Sequence, residues 1–238
     1  MSNAFVRLKA AGRALVSAAL PQDCLLCGAR AGAGLLCSAC AAELPRLPQM
    51  RCPVCALPTS DATVCGRCLS KPPHFDATHA LFAYAFPVDR LIQVLKYRAR
   101  LAVAPFFGEG LADLLPAGAD RLVPLPLHPR RLKERGFNQA LEIARALARH
   151  PSIDTASVER EIDTAPQASL AWDERGRNVH GAFLCRADLS GQHVVVLDDV
   201  MTTGATLDEC ARALKKRGAA RVTNLVVART LPAGPDPR

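Results

Sequence analysis

Two stretches of this chain carry residue types suited to chemistry rather than packing. The first is His193-Val-Val-Val-Leu-Asp-Asp-Val-Met-Thr-Thr-Gly-Ala-Thr206. An apolar, β-branched run gives way to two adjacent carboxylates, then to small hydroxyl residues and a glycine. Read as a buried strand, a turn and a helix start, it lies at the carboxyl edge of a sheet, where open α/β sheets bind ligands. Gly204 admits a ligand close to the backbone. The hydroxyls of Thr202, Thr203 and Thr206, with the amides of the Met201–Ala205 turn, would make a cradle for one phosphate. Asp198 and Asp199 would repel that phosphate. They are suited to accepting hydrogen bonds from vicinal sugar hydroxyls, or to meeting a bound Mg²⁺. Ribose 5-phosphate presents such hydroxyls beside a phosphate. A helix cap would need one of these residues, not the whole set.

The second stretch is a repeat. Cys24-x₂-Cys27-x₉-Cys37-x₂-Cys40 recurs 28 residues later as Cys52-x₂-Cys55-x₉-Cys65-x₂-Cys68. Each Cys-x₂-Cys turn offers two thiolates to one metal, and two turns complete a tetrahedron, so two Zn(Cys)₄ sites are expected. Either each copy forms its own site or the copies interleave. Four protein ligands leave no open position, so the zinc is structural. Four disulfides would require an oxidising compartment, and a redox pair would need only one such turn. Cys185 and Cys210 stand outside the repeat and read as buried thiols.

The elements that must hold these groups follow from periodicity. Strands are expected over Thr78–Phe86, Arg121–Leu127, Ser157–Ile162, His193–Leu197 and Arg221–Ala228. Helices are expected over Asp89–Arg98, over Asn138–Arg149 with Asn138 as cap, and over Ala205–Arg217 ended by Gly218. This alternation is that of an α/β domain, a parallel sheet flanked by helices. The chain divides into an amphipathic N-terminal helix (1–22), a zinc-binding module (23–72), the α/β domain (75–231) and a frayed tail (232–238). Lys71-Pro72-Pro73-His74 is the expected seam.

Thirty Lys and Arg against twenty-two Asp and Glu give a formal +8. Eight thiolates on two Zn²⁺ would lower it to about +4. That balance favours a polyanionic partner. The start, Ala4–Leu20, is interrupted by Arg7, Lys9 and Arg13, which suits an amphipathic helix on the protein, a membrane surface or a partner rather than an export signal. The expected location is the cytoplasm.

The segment His128–Gly136 follows a strand end, and Arg130, Arg131, Lys133 and Arg135 are its candidates for holding a pyrophosphate. Lys96 either reaches a phosphate or complements a helix dipole. Thr164–Phe183 is a polar segment that carries Trp172, Arg175, Arg177 and His180.

Val195–Thr206 resembles the phosphoribosyl pyrophosphate signature of type I phosphoribosyltransferases. A narrower resemblance covers nearly the whole chain: Val123–Gln139, Thr164–Gln167, Glu174–Phe183, Leu95-Lys-Tyr97, Val226–Thr230 and the cysteine-rich start are similar to the ComF/GntX family. The resemblance implies a type I phosphoribosyltransferase-like fold with an N-terminal double zinc ribbon. It also implies that Asp198 and Asp199 meet the ribose, that Thr202–Thr206 hold its 5-phosphate, and that Mg²⁺ accompanies the pyrophosphate. A part in natural competence, in handling incoming single-stranded DNA with helicase-type partners, is implied in the same way. Two functions fit: a sugar-pyrophosphate-binding protein of DNA uptake, or a Mg²⁺-dependent phosphoribosyltransferase with an unnamed acceptor.

Overall fold

The structure is a computed structural model that describes residues 22–147, 151–162 and 179–232. The N-terminal helix, Trp172, Arg175, Arg177 and the last six residues lie outside the described residues. The chain forms two compact units, one reaching to Leu44 and one from Pro45 onward. This division falls ahead of the Lys71–His74 stretch.

The smaller unit holds an antiparallel pair, β1 (Gln22–Asp23) and β2 (Arg30–Gly32). A short helix follows, α1 (Ser38–Ala42), whose first turn is capped by the Cys37 sulfur accepting from the Cys40 N–H.

The larger unit opens with the second cysteine copy, which ends in helix α2 (Gly66–Ser70). The α/β elements follow: β3 (Ala77–Ala83), α3 (Val88–Arg98), α4 (Val103–Leu111), β4 (Arg121–Pro124), α5 (Pro129–Arg135), α6 (Gln139–Ala146) and β5 (Ser152–Ile153). After them come β6 (Val158–Arg160), β7 (Phe183–Cys185), β8 (His193–Met201), α7 (Ala205–Lys216) and β9 (Arg221–Arg229). Five strands make one sheet in the order β3-β9-β8-β4-β5, and every pair is parallel. Strands β6 and β7 form a separate antiparallel pair.

Local chemistry explains these elements. Val88, Leu91, Ile92 and Leu95 recur at helical spacing on α3 and are buried. Removing each from water is worth about 1.5–3 kcal/mol. Asn138 caps α6 as its type predicts, accepting from the N–H groups of Ala140 and Leu141 at 2.9 and 3.3 Å. On α7, Leu207, Cys210, Ala211 and Leu214 face the core, and Gly218, at φ +90°, stops the helix. Strands β8 and β9 are buried along most of their length, as central parallel strands must be.

Three expectations change. The helix α4 was hidden by Pro105, Gly108 and Gly110. Gly108 is required because a Cβ there would lie 2.6 Å from the Ala146 Cβ of α6. The basic segment after β4, which the periodicity did not assign to any element, is a helix: His128 caps it, Pro129 opens it, and Gly136 closes it at φ +82°. Finally, β8 does not end at Leu197. Its pairing with β4 stops there, but its pairing with β9 runs on to Met201 opposite Arg229.

Among the described residues, no helix is long and apolar enough to cross a membrane.

Candidate functional site

The chain leaves β4 toward β5 and leaves β8 toward β9, on opposite sides. The carboxyl ends of β4 and β8 therefore flank the topological switch point of the sheet. Asp198 and Asp199 stand where β4 has stopped and β8 continues. From the same edge spring α5, with Arg130, Arg131, Lys133 and Arg135, and the turn Thr202–Gly204 that enters α7.

The two acids are not equivalent. Successive strand residues point to opposite faces. Asp199 is buried and its Oδ2 lies 2.8 Å from the Lys96 ammonium, whose side chain is only 20% exposed. Lys96 ends α3, so it answers a carboxylate rather than merely a helix dipole. Burial works against its charge, but Asp199 outweighs that and raises its pKa. Asp198 is half-buried, and its Oδ1 accepts from the Asp199 N–H at 2.8 Å. Burial first, and the Asp199 charge second, push the Asp198 carboxyl up to about 7, against the pull of Lys96 and Arg160.

That shift has a sign. Between the ordinary value near 3.8 and about 7, folded Asp198 keeps a proton that the unfolded chain has released. Stability therefore falls as pH rises through this window and levels off above it. Urea unfolding at pH 5 and pH 8 measures the slope, and Asp198→Asn should flatten it.

The turn after β8 is held from behind. Arg229, at the end of β9, is fully buried. Its guanidinium donates from Nε to the Cys55 carbonyl at 2.8 Å, and from Nη1 to the carbonyls of Met201 at 3.0 Å, Thr202, and Thr230 at 2.9 Å. Burial, with Arg67 nearby, lowers its pKa against the pull of Cys55 and Cys68. Arg67, between Cys65 and Cys68, donates to the Thr203 carbonyl at 2.8 Å. Three successive carbonyls are thus engaged by arginines. Because a trans peptide opposes its C=O to the next N–H, the amides of Thr202, Thr203 and Gly204 face away from those arginines. Gly204 then caps α7 at φ +87°, a conformation that only glycine adopts without strain, and the Ala205 N–H donates to the Thr203 Oγ1.

Two cavities adjoin these elements. One of about 720 Å³ is lined by Pro124, His128, Phe137, Asn138, Val158 and Arg160 among others. The other, about 710 Å³, is lined by Arg67, Phe75, His180, Thr203, Gly204 and Ala205 among others. Neither Asp198 nor Asp199 is on the wall of either cavity.

Of the four basic candidates, Arg135 lies beside Lys96 and Tyr97: its guanidinium is 5.8 Å from the Tyr97 ring centre, acts against the Lys96 charge, and donates to the Gln139 Oε1 at 2.7 Å. Arg130 is exposed and pairs with Glu134 at 3.1 Å, and Lys133 is exposed on the same helix. Arg131 is half-buried there. The chemistry of Arg67, Arg160 and Arg229 was not read from the sequence. Only Arg229 left a signal, as the one charge closing the apolar run Leu225-Val-Val-Ala.

The cysteines gather as two groups, Cys24, Cys27, Cys37 and Cys40, and Cys52, Cys55, Cys65 and Cys68, each with its ligand atoms within 4.8 Å of one another. Each copy thus forms its own site, and interleaving is excluded. The sulfurs of Cys27 and Cys37 are 3.7 Å apart and those of Cys55 and Cys65 3.6 Å. A tetrahedron with Zn–S bonds of about 2.3 Å has edges of about 3.8 Å, so the spacing fits zinc. None of the ten cysteines is in a disulfide, and Cys185 and Cys210 are buried outside both groups.

Residues 15–69 match the double zinc ribbon domain family, and residues 133–237 match the phosphoribosyl transferase domain family. The chain is 36% identical over 225 residues to the DNA utilization protein YhgH of Escherichia coli, covering 89% of this chain and 99% of that protein. It is 29% identical over 201 residues to competence protein F of Haemophilus influenzae, covering 77% of this chain and 85% of the relative. Against competence protein ComFC of Bacillus subtilis the identity is 26% over 212 residues, covering 82% and 84%. With its two zinc-ribbon sites and its parallel, phosphoribosyltransferase-like sheet, the chain belongs to the ComF/GntX family.

Proposed function

We propose that this protein binds phosphoribosyl pyrophosphate and acts in the uptake and use of single-stranded DNA in the cytoplasm. The observation that carries the binding is one continuous segment at the switch point: Asp198 and Asp199, then amides turned away from Arg229 and Arg67, then the glycine cap of α7. On this reading the Thr202–Thr206 turn takes the 5-phosphate, whose charge suits the start of a helix. The acids take the ribose hydroxyls. Asp199 is already committed to Lys96, so Asp198 is the carboxylate better placed to meet Mg²⁺ carried on the pyrophosphate. Arg135, with Arg130, Arg131 and Lys133 on the same helix, would balance the pyrophosphate charge.

The role in DNA uptake is supported by the names of the relatives, one a DNA utilization protein and two competence proteins. The basic helix and the ribbons are the surfaces suited to a DNA backbone or a helicase-type partner. The N-terminal segment would serve as a contact to a membrane surface or partner.

An active phosphoribosyltransferase is the second reading. It is favoured by Arg160, which acts on the Asp198 charge and lines the 720 Å³ cavity, where an acceptor would fit.

Calorimetry with phosphoribosyl pyrophosphate and Mg²⁺ tests the shared premise. The double variant Asp198→Asn, Asp199→Asn is expected to bind on the order of 100-fold more weakly, from the loss of charge-assisted hydrogen bonds. Undiminished affinity would remove the premise. Pyrophosphate release that depends on an added base would select the transferase, and silence across a panel of bases would select the binder.

A further inference from the structure

Arg229 presents an electrostatic problem that its own domain does not solve. Its side chain is fully buried, yet among the described residues its bonds to Cys55, Met201, Thr202 and Thr230 go to backbone carbonyls, and its Nη2 has no hydrogen-bond partner there. Among the described residues, no carboxylate forms an ion pair with it. A buried cation needs a compensating anion, because isolated charge in a low-dielectric interior costs several kcal/mol. The nearest candidate is the second cysteine group: Arg229 bonds the Cys55 carbonyl, and Cys55 and Cys68 share one buried cluster with Met201 and Phe75. Four thiolates on one Zn²⁺ carry a net charge of −2. Filled with zinc, this site becomes the counter-ion that Arg229 lacks.

Arg229 spends its remaining donors on the turn after β8. Together with Arg67, which comes from within the ribbon itself, it holds the carbonyls of Met201, Thr202 and Thr203. The second cysteine group, the guanidinium and the turn thus form one connected chain of contacts, all within the larger unit.

We propose that Arg229 is a positioning residue that couples the second zinc site to the phosphate-binding turn, so that metal in that site sets the affinity for sugar phosphate. The coupling rests on the phosphate-binding reading given above. It assigns the second ribbon a part in ligand binding, while the first ribbon, in the other compact unit, has none. Coupling between two sites is reciprocal. If zinc orders the turn, a ligand on the turn must retain the zinc.

The test uses the full chain carrying Cys27→Ser and Cys37→Ser, which leaves zinc only in the second site. Zinc transfer to a chromogenic chelator is followed with and without ribose 5-phosphate, with ribose as control. Saturating ribose 5-phosphate is expected to slow the transfer on the order of 10-fold, within the usual range of site-to-site coupling, and ribose to leave it unchanged. Adding Arg229→Lys, which keeps the charge but not the fork, should reduce the protection to less than about 2-fold while zinc content stays at one per chain. Should that variant fail to fold, Arg67→Ala, which removes the bond to the Thr203 carbonyl, is expected to weaken the protection partially.

Calorimetry on the unsubstituted chain separates the failures. No heat with ribose 5-phosphate would overturn both the phosphate-binding reading and this one. Binding heat together with a zinc transfer rate indifferent to the ligand, or protection undiminished in the arginine variants, would overturn the coupling alone.

Discussion

Replacing Cys52 with serine should destabilise the whole α/β unit, whereas replacing Cys27 with serine should leave it standing, although each removes one zinc. Cys52, Cys55 and Cys68 are buried in the same cluster as Phe75, Val196 and Met201, so this ribbon is part of the core of the sheet. It also covers the sheet's edge: the Thr78 N–H of β3 donates to the Pro53 carbonyl, and Arg46 bridges Phe82. Structural zinc in such ribbons contributes on the order of 10 kcal/mol, as much as the entire stability of a typical domain. Even if the remaining contacts recover half of that, the loss is about 5 kcal/mol. For a unit of this size the melting temperature would fall by more than about 10 °C. Cys27 is exposed and belongs to the smaller unit. Its loss should leave the melting of the α/β unit within about 2 °C. Elemental zinc analysis together with thermal melts by circular dichroism measures both quantities, and equal melting shifts in the two variants would refute the difference.

The second large effect is expected from Lys96→Met. The substitution keeps most of the aliphatic stem and its packing on α3 but removes the cation 2.8 Å from Asp199. The Asp199 side chain is only 4% exposed, so its carboxylate is left in a dry site without its counter-charge. Breaking a buried pair in this way costs about 3–5 kcal/mol. Asp199→Asn alone should cost less, since the 20% exposed Lys96 can turn its ammonium toward water. The double variant removes both charges together and should recover most of the loss. Chemical denaturation of the four proteins gives the coupling energy, expected at about 2 kcal/mol or more. A strictly additive double variant would mean that the pair contributes nothing as a pair.

Much of this architecture was legible because it is local. The Cys-x₂-Cys turns and their 28-residue repeat state a metal site outright, since each turn is a self-contained chelating unit. Asn138 and Gly218 marked the ends of their helices by side-chain and backbone chemistry that acts within a few residues. The segment from His193 to Thr206 likewise announced a strand, two acids and a glycine turn. Where local signals conflicted, the reading failed. Two glycines and a proline concealed α4, because only contact with α6 makes Gly108 favourable in a helix. The charges of Arg130–Arg135 concealed α5, although its cap, its proline and its closing glycine were all present.

While the grouping of the cysteines by copy came from the structure, the sequence by itself determined the eight metal ligands, the alternation of strands and helices around the sheet, and the position of the acid pair before the turn. These depend on neighbours along the chain, which the order of residues fixes. Only the tertiary structure decided that Asp199 is matched by Lys96, and that Arg229 reaches Cys55, 174 residues away, while also holding the turn after β8. Those partners meet because a parallel sheet brings distant segments side by side, and a buried charge accepts whichever partner that packing supplies.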